Sequence, residues 1–355
     1  MKRRNFIQST TAAGMACALP AFPDFLASAP ELRLGVAEAS YMMRAYRNMP
    51  SQQYPPFGNA LDFMEHCASL GFGGVQVGIG RWDAGFARQV RTRKDALGLF
   101  LEGSVRLPHT ADDLNRFESE VEAAAGIGVD VIRTVCLSGR RYENFQTPES
   151  FLEFREQSVA ALQRAEPVMR KHRVKLAVEN HKDWRAPEMK ELLNGLGSPW
   201  IGVTLDTGNN ISLLEDPMEV VRELAPYAFS VHLKDMAVEG YPDGFLLSEV
   251  NLGTGYLDID GMVATIREHN PEVRFNLEMI TRDPLEVPCL TDAYWATFGE
   301  VPARDLAAYL QGIRSRKRTD PLPVVSNLSA DEQLRLEVEN NRTCLQTARA
   351  EYGFQ

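Results

Sequence analysis

Length and composition place this chain among ordinary folded proteins and disfavour several functional classes. Its 355 residues are 44% hydrophobic and 24% charged, which suits one large domain or two modest ones. The 48 acidic residues outnumber the 38 basic ones and give a net charge of −10. A negative surface repels phosphate backbones and anionic lipids, so nucleic acids and membrane surfaces are disfavoured as partners. The body of the chain contains no apolar stretch long enough to span a bilayer.

The first 29 residues have the features of an export signal rather than of a folded segment. Arg3 and Arg4 precede a polar residue and Phe6, as in the twin-arginine signal, and an Ala-rich apolar run reaches Leu19. Small residues at positions 27 and 29 offer a cleavage site. We therefore predict a twin-arginine signal peptide over residues 1–29. The mature protein is then periplasmic or otherwise exported, with no membrane attachment after signal removal.

From residue 31 onward, short β-rich runs alternate with stretches of helical periodicity, as in a parallel sheet with helical crossovers. The eight predicted strands are Leu32–Ala37, Gly74–Gly78, Leu99–Val105, Val131–Leu137, Val174–His181, Ile201–Asp206, Phe229–Asp235 and Arg274–Ile280. Eight such units favour a closed (β/α)8 TIM barrel, which we predict over residues 30–318. An open doubly wound sheet is the alternative. It usually has a glycine-rich phosphate loop after its first strand, and residues 34–39 do not form one.

The predicted helices have apolar residues three and four positions apart. They are Ala60–Leu70, Leu114–Ala125, Phe151–His172 and segments near 187–196, 216–225, 258–269 and 303–315. Pro167 predicts a kink or an early end in the third of them. Ser329 and Glu332 have the spacing of a capping box. We therefore predict that residues 319–355 form a C-terminal extension with one helix packed on the barrel.

The last four predicted strands each present a potential metal ligand near the carboxyl end. The ligands are Glu179, Asp206, His232 and Glu278, separated by 27, 26 and 46 positions. The first two separations match one strand and one helix, and we attribute the longer third one to an inserted loop over residues 236–257. Barrel enzymes keep their reactive groups at the carboxyl ends of the strands, so we expect the four side chains to converge.

Three carboxylates and one imidazole form a ligand set that consists mostly of oxygen atoms. Such a set favours Mn²⁺, Mg²⁺ or Co²⁺, and Zn²⁺ is compatible with it. A single carboxylate at a strand end is as often one half of an ion pair. Four ligands on consecutive strands instead predict one divalent metal ion.

Short motifs around these residues resemble those of a known family. From about residue 32 to 315 the chain resembles the sugar phosphate isomerase/epimerase superfamily, the xylose isomerase-like barrels. The matching motifs are Val178-Glu179-Asn180-His181, Leu205-Asp206-Thr207-Gly208-Asn209, His232-Leu233-Lys234-Asp235, Leu252-Gly253-Thr254-Gly255 and Leu277-Glu278. The resemblance implies that Glu179, Asp206, His232 and Glu278 bind one divalent ion. It also implies that Glu179 and Glu278 are the catalytic acid and base.

The chain differs from the family pattern at three places. Many epimerases have a histidine three positions after the aspartate of the sixth strand, where this chain has Asn209. The usual Gly-Glu-Gly of the seventh loop is Gly253-Thr254-Gly255, and the usual glutamate of the second strand is Gln76. These differences leave the predicted ligands intact and suggest a different substrate or a different outcome after proton abstraction.

Strand alternation adds candidates for substrate binding, because residues two apart share one face about 6.6 Å apart. His181 and Lys234 each follow a predicted ligand by two positions, so we expect both side chains just above the ion. The alternatives are a hydrogen bond to a ligand for His181 and a salt bridge with a nearby acid for Lys234. The other candidates are Asn209, Glu102 at the end of the third strand, and Arg133 within the fourth.

These residues predict a metal-dependent isomerase or epimerase that acts on a small sugar or keto-sugar. An ion chelated by a carbonyl and the adjacent hydroxyl acidifies the C–H bond between them. Glu179 and Glu278 can then remove the proton and return it. The sequence leaves open whether the substrate is phosphorylated and whether the protein is a homo-oligomer.

Two other functions fit the same residues. Elimination shares the first step, so a lyase, either a dehydratase or a β-eliminase of 3-keto-glycosides, is the first alternative. A non-catalytic sugar-binding barrel is the second. A nucleolytic AP-endonuclease barrel is disfavoured, because it requires more metal ligands and a basic face.

Overall fold

The computed structural model describes residues 31–80, 82–316 and 320–355, so the predicted signal peptide lies outside the described residues. The strands are β1 Leu34–Ala37, β2 Gly74–Gly78, β3 Phe100–Ser104, β4 Val131–Thr134, β5 Lys175–Glu179, β6 Ile201–Asp206, β7 Ala228–Leu233, β8 Asp235–Tyr241, β9 Gly244–Val250, β10 Arg274–Leu277 and β11 Leu285–Val287. Eight of them close into a parallel barrel in the order β1-β10-β7-β6-β5-β4-β3-β2. The predicted (β/α)8 TIM barrel is thereby confirmed.

The barrel closes because β1 is hydrogen-bonded to β2 on one side and to β10 on the other. Its strands are short runs of mostly buried residues, as expected for parallel strands that are covered by helices. A strand is present at each of the eight predicted positions. The fifth and the eighth end earlier than predicted, at Glu179 and Leu277, so their metal-ligand candidates lie at or just beyond the strand end.

The α-helices of the described residues are α1 Met42–Ala45, α2 Ala60–Leu70, α3 Ala84–Leu97, α4 Ala111–Ala125, α5 Arg141–Asn144, α6 Pro148–His172, α7 Ala186–Leu196, α8 Pro217–Leu224, α9 Ile259–His269, α10 Asp292–Trp295, α11 Ala303–Ser315 and α12 Ala330–Glu351. Among them none is long and apolar enough to cross a membrane. The helix α6 continues through Pro167 and ends only where Arg173 adopts a φ of 56°.

No helix was predicted between β2 and β3, where the structure has α3. Asp83 begins this helix by accepting a hydrogen bond from the backbone N of Phe86 at 2.7 Å. Only Ala87 and Val90 of its fourteen residues are buried. The apolar stripe is therefore too narrow to produce a clear periodic pattern.

The segment predicted as an inserted loop, residues 236–257, is mostly a β-hairpin. Strands β8 and β9 pair antiparallel, and β11 extends them to a sheet of three strands. The Asp235 carboxylate fixes the base of the hairpin by accepting backbone N–H bonds at 2.8–3.2 Å from Met236, Gly253, Gly255 and Leu257. A Cβ atom at Gly255 would lie 2.1 Å from an oxygen of this carboxylate, so the position requires glycine.

The C-terminal helix α12 begins with the predicted capping box, in which the Ser329 side chain accepts from the backbone N of Glu332. Its residues Leu345 and Ala348 join the main hydrophobic core of the barrel. Beyond the helix, the Phe354 ring packs edge-on against Phe275 of β10, with ring centroids 5.6 Å apart. The helix therefore packs against the barrel.

Candidate metal centre

Four side chains, Glu179, Asp206, His232 and Glu278, meet at the carboxyl ends of β5, β6, β7 and β10, which are neighbours in the barrel. Each offers one ligand atom, and these atoms all lie within 4.8 Å of one another. No residue of the four is more than 4% exposed. Ligands about 2.0–2.3 Å from one ion lie at most about 4.6 Å apart. The structure thus brings the four predicted ligands close to the spacing that a single divalent ion requires.

Backbone register places these side chains. Asp206 is the partner of His232 across β6 and β7, and the backbone N of Glu278 donates to Leu233 O at 2.9 Å, just past the end of β10. The side chain of Asn180 links the ends of β5 and β6. It accepts from the backbone N of Asp206 at 2.8 Å and donates to the carbonyl of the same residue at 3.0 Å.

The imidazole of His232 is oriented from below by a polar chain. Its Nε2 lies 2.7 Å from Gln76 Oε1, and Gln76 Nε2 donates to Glu102 Oε2 at 3.1 Å. Because the Gln76 oxygen is an acceptor, Nε2 carries the proton and Nδ1 faces the carboxylates. Nδ1 lies 3.2 Å from Glu278 Oε1 and 3.5 Å from Glu179 Oε2.

Charges of opposite sign hold the site together. Burial raises the pKa of Glu179, but Arg133 and His232 outweigh it and hold that pKa well below its usual value. The pKa of Glu278 is likewise lowered by Lys234 and His232 against the effect of burial. Burial alone would lower the pKa of His232, yet the carboxylates of Glu278 and Glu179 raise it to about 10. Burial raises the pKa of Asp206 to about 6 although Lys234 opposes this effect, so at neutral pH all three acids are ionised and can bind a cation.

Lys234 lies among the ligands rather than above them. Its Nζ is 2.5 Å from Glu278 Oε2 and 2.8 Å from Asp206 Oδ2. Lys234 therefore forms a salt bridge, which was the alternative to substrate binding. Its partners are these two ligands and not the neighbouring Asp235, whose carboxylate binds the base of the hairpin. His181 does stand near the site, and its Nδ1 is buried without a hydrogen-bond partner among the described residues. Burial, followed by the charge of Lys182, lowers the pKa of His181 to about 3, so its ring is neutral.

Of the remaining candidates, Arg133 and Asn209 contact a ligand. Arg133 donates to Glu179 Oε2 from Nε at 2.7 Å, and its Nη2 lies 2.5 Å from the same oxygen. Asn209 Nδ2 donates to the other oxygen of that carboxylate, Oε1, at 3.0 Å. Both oxygens of Glu179 are therefore hydrogen-bonded.

Glu102 differs from the prediction of substrate contact. Its carboxylate is fully buried inside the barrel, where Oε2 accepts from Ser230 Oγ at 2.6 Å and from Asn276 Nδ2 at 2.8 Å. Ser230 and Asn276 precede His232 and Glu278 by two positions, so this polar layer lies one step below the ligands. From there Glu102 supports the ligands through Gln76 and does not reach the mouth.

Three charged residues near the site were not found from the sequence. Lys182 follows β5 and donates to Asn209 Oδ1. Glu249 lies at the end of β9 and pairs with Arg282, whose Nη2 and Nε are 2.5 and 3.1 Å from the carboxylate oxygens. Burial raises the pKa of Glu249, but Arg282 and then Lys234 and Lys182 outweigh this effect and lower the pKa. The hairpin therefore brings a carboxylate close to the cations of the metal-ligand cluster.

The chemistry of the donor set fits a divalent cation. His232 Nδ1 is buried and has no hydrogen-bond partner among the described residues, although carboxylate oxygens surround it. An ion at the centre of the four groups would give this nitrogen a partner and balance the three acids. The residues present are therefore suited to hold such an ion.

One known protein is similar to this chain in sequence, and several solved structures are similar to it in fold. The chain is 26% identical over 249 residues to the 3-oxo-isoapionate decarboxylase of Pectobacterium atrosepticum. The matched region covers 68% of this chain and 83% of that protein. A crystal structure of D-psicose 3-epimerase in the presence of D-fructose covers 91% of this chain and 100% of its own, with 13% identity and a TM-score of 0.59.

A third relative contains a metal ion. The xylose isomerase-like TIM barrel protein of Mycobacterium smegmatis in complex with magnesium covers 80% of this chain and 97% of its own, with 14% identity and a TM-score of 0.53. At such identities the two solved structures show a shared fold. The sequence pattern of the xylose isomerase-like TIM barrels matches residues 64–308, more than half of the chain, and the protein belongs to that family.

Proposed function

We propose that this protein is a divalent-metal-dependent isomerase or epimerase that transfers a proton next to the carbonyl of a keto-sugar. The observation that carries the proposal is the convergence of Glu179 and Glu278 on His232. These carboxylates come from β5 and β10, which two other strands separate, and each has an oxygen within 3.5 Å of His232 Nδ1. Two acids on different sides of one ion can act on opposite faces of a bound sugar.

The residues that would hold the ion are Glu179, Asp206, His232 and Glu278. A bound Mn²⁺, Mg²⁺ or Co²⁺ would act as a Lewis acid that polarises the substrate carbonyl, and Zn²⁺ is compatible with the same ligands. The oxygen-rich ligand set and the magnesium complex of the mycobacterial relative support this choice.

The chain itself would supply the proton transfers. Glu278 is 4% exposed and Glu179 is fully buried, so we assign the first contact with substrate to Glu278. Lys234 Nζ, 2.5 Å from Glu278 Oε2, holds the carboxylate in the ionised form that acts as a base. Glu179 would return the proton from the other side. A positioned acid or base of this kind accelerates proton transfer by about 10²–10⁴-fold.

A lyase on the same barrel is the second candidate, and one contact favours it. Arg133 and Asn209 occupy both oxygens of Glu179, and this lowers the basicity of that carboxylate. If Glu278 is the only carboxylate that acts as a base, the site suits elimination or decarboxylation better than epimerisation, because epimerisation requires a second group to return the proton. The 26% identity to a decarboxylase supports the same alternative.

Hydrogen exchange distinguishes these reactions. Purified protein loaded with Mn²⁺ is incubated in D₂O with keto-sugars and 3-keto-glycosides, and the products are followed by NMR and mass spectrometry. Deuterium incorporation with every carbon and oxygen retained supports the isomerase or epimerase. Loss of water, carbon dioxide or an aglycone supports the lyase.

The variant Glu278→Gln tests whether the barrel is an enzyme at all. We expect turnover to fall by about 10³-fold or more, because the base is lost. Glu286→Gln, on the exposed side of β11, is the matched control and is expected to keep full activity. A protein that binds sugar, catalyses no exchange with any of the four metals and binds equally well after Glu278→Gln is a sugar-binding barrel.

We also propose that the protein is exported by the twin-arginine pathway. The support is the sequence of residues 1–29 alone, with its paired Arg3 and Arg4. Cell fractionation of the full chain and of an Arg3→Lys, Arg4→Lys variant tests the proposal. The wild type is expected in the exported fraction and the variant inside the cell, and retention of both chains inside contradicts it.

A further inference from the structure

Lys182 is a buried cation that forms no ion pair among the described residues, although the more distant carboxylates of Glu249 and Asp206 act on its charge. It lies in the loop after β5 and is 3% exposed. The loop is fixed, because the carbonyl of Lys182 accepts from the backbone N of Arg141 at 2.8 Å. Among the described residues, its Nζ has one hydrogen-bond partner, the neutral oxygen Asn209 Oδ1, and no carboxylate within ion-pair distance.

The other cations around the metal-ligand cluster each have a carboxylate partner. Arg133 pairs with Glu179, Arg282 with Glu249, and Lys234 with both Asp206 and Glu278. A buried charge that lacks a partner destabilises the folded state of a protein. Such a group therefore suggests a role outside the folding of the chain.

The position of Lys182 connects it to the metal-ligand cluster. Asn209 Oδ1 accepts from Lys182 and lies 3.5 Å from Lys234 Nζ, while Nδ2 of the same amide donates to Glu179 Oε1. Two ammonium groups thus converge on one neutral oxygen beside a proposed metal ligand. A bound ion would share the carboxylates that now balance Lys234. The two ammonium groups would then require a further anion.

We propose that Lys182 binds a carboxylate of the substrate, so that the preferred ligand is a keto-sugar acid. The proposal rests on the proposed function, because the sugar is placed by the same ion. One ammonium balances one carboxylate, and two of its three N–H groups are free to donate to it. A phosphate carries a charge of about −1.5 to −2 and would require a further cation.

Calorimetric binding to the Mn²⁺-loaded protein tests the proposal. The probes are D-fructose, its 6-carboxylate D-fructuronate, and D-fructose 6-phosphate. We expect wild-type protein to bind D-fructuronate at least about tenfold more tightly than D-fructose, the strength of one charged hydrogen bond. Lys182→Met should remove this preference and leave the affinity for D-fructose within about threefold. Lys182→Arg should retain much of it. Lys190→Met, which removes the half-buried partner of Glu223 in an ion pair, should behave as wild type in sugar binding.

Several outcomes overturn the proposal. These are equal affinity for the acid and the neutral sugar in the wild type, a preference that survives Lys182→Met, and tighter binding of the phosphate than of the carboxylate. Failure to bind Mn²⁺ contradicts the proposed function first. Normal Mn²⁺ uptake and deuterium exchange without a preference for the acid contradict only the role of Lys182.

Thermal unfolding provides a second test that needs no sugar. An unpartnered charge predicts that Lys182→Met melts at the wild-type temperature or above it, since the substitution removes an unbalanced cation. A lysine that supports the fold predicts the reverse. A melting temperature for Lys182→Met below that of the wild type therefore overturns the proposal.

Discussion

The amide of Asn209 donates from Nδ2 to Glu179 Oε1 at 3.0 Å and so fixes one oxygen of a proposed metal ligand. Its backbone N also donates to Asp206 Oδ1 at 2.7 Å. Asn209 therefore orients two of the proposed ligands from a position three residues after Asp206. A group that orients ligands without binding the ion still affects the affinity for the metal.

We expect Asn209→Ala to weaken Mn²⁺ binding by roughly 10–100-fold, because the Glu179 carboxylate loses one of its positioning bonds. Competition with a fluorescent chelator measures this affinity. Asn194→Ala is the control, since that side chain is exposed and only accepts from Tyr227 Oη. Equal Mn²⁺ affinity for Asn209→Ala and wild type would show that Arg133 alone positions the carboxylate.

The Gln76 amide supports the imidazole of His232 in the same indirect way. Gln76→Leu leaves Nε2 without its acceptor at 2.7 Å, so the proton is free to move to Nδ1. We expect a loss of roughly 10–100-fold in Mn²⁺ affinity. Above pH 10, where the metal-free ring is neutral, the ¹⁵N shifts of the labelled imidazole should show a mixture of tautomers where the wild type has one. Gln157→Leu, on an exposed face of α6, should change neither quantity.

Metal binding should release protons. A ligand imidazole must be neutral, whereas the surrounding carboxylates of Glu278 and Glu179 raise the pKa of His232 to about 10 against the effect of burial. Near pH 8 we expect about one proton released per ion, and an affinity for Mn²⁺ that rises about tenfold per pH unit below pH 10.

Titration calorimetry in two buffers of different ionisation enthalpy counts the released protons. His269→Gln, on an exposed helix end, should give the wild-type number. A binding enthalpy that is independent of the buffer would mean that His232 is already neutral or does not bind the ion.

The stability of the protein should depend on pH through the carboxyl group of Glu337, a buried residue of α12. Its Oε1 accepts from the backbone N of Met43 at 2.7 Å, and burial raises its pKa from 4.5 to about 7. Between these values the unfolded chain loses the proton while the folded chain keeps it. The stabilisation is thus complete below pH 4.5 and is lost as the pH rises towards 7, by up to about 3 kcal/mol.

Glu337→Gln removes this titration and keeps an acceptor for Met43. We expect the variant to match the wild type near pH 4.5 in urea unfolding and to exceed it in stability at pH 8. Glu351→Gln, at an exposed position of the same helix, should follow the wild type at both values. If the difference between Glu337→Gln and wild type does not change with pH, then the carboxyl of Glu337 is not protonated in the folded protein.

The barrel and its four central side chains were predictable because both depend on local patterns. Apolar runs at intervals of one βα unit predicted each strand, and the carboxyl ends of neighbouring parallel strands must meet at one rim. Glu179 and Asp206 needed only the correct strand ends. Glu278 could be predicted despite the longer interval before it, because the strand Arg274–Ile280 was recognisable from its own apolar residues.

The remaining residues were not predictable in the same way. Strand alternation placed His181 inward, but β5 ends at Glu179 and the loop that follows turns Lys182 towards Asn209. Side chains alternate between the two faces only within a strand, so this rule does not apply beyond Glu179. Glu249 and Arg282 approach the cluster only because a hairpin forms where a loop was predicted. Asp243-Gly244 between two alternating runs is a hairpin signal that the prediction overlooked.

The anchoring of the hairpin by Asp235 has a consequence for engineering. The carboxylate holds four backbone N–H groups at the base of the hairpin, three residues after His232, while the turn at residues 242–243 lies at the far end of two seven-residue strands. Exchanging or inserting residues at the turn should therefore leave the metal-ligand cluster undisturbed. Labels and insertions for biophysical work are best placed there.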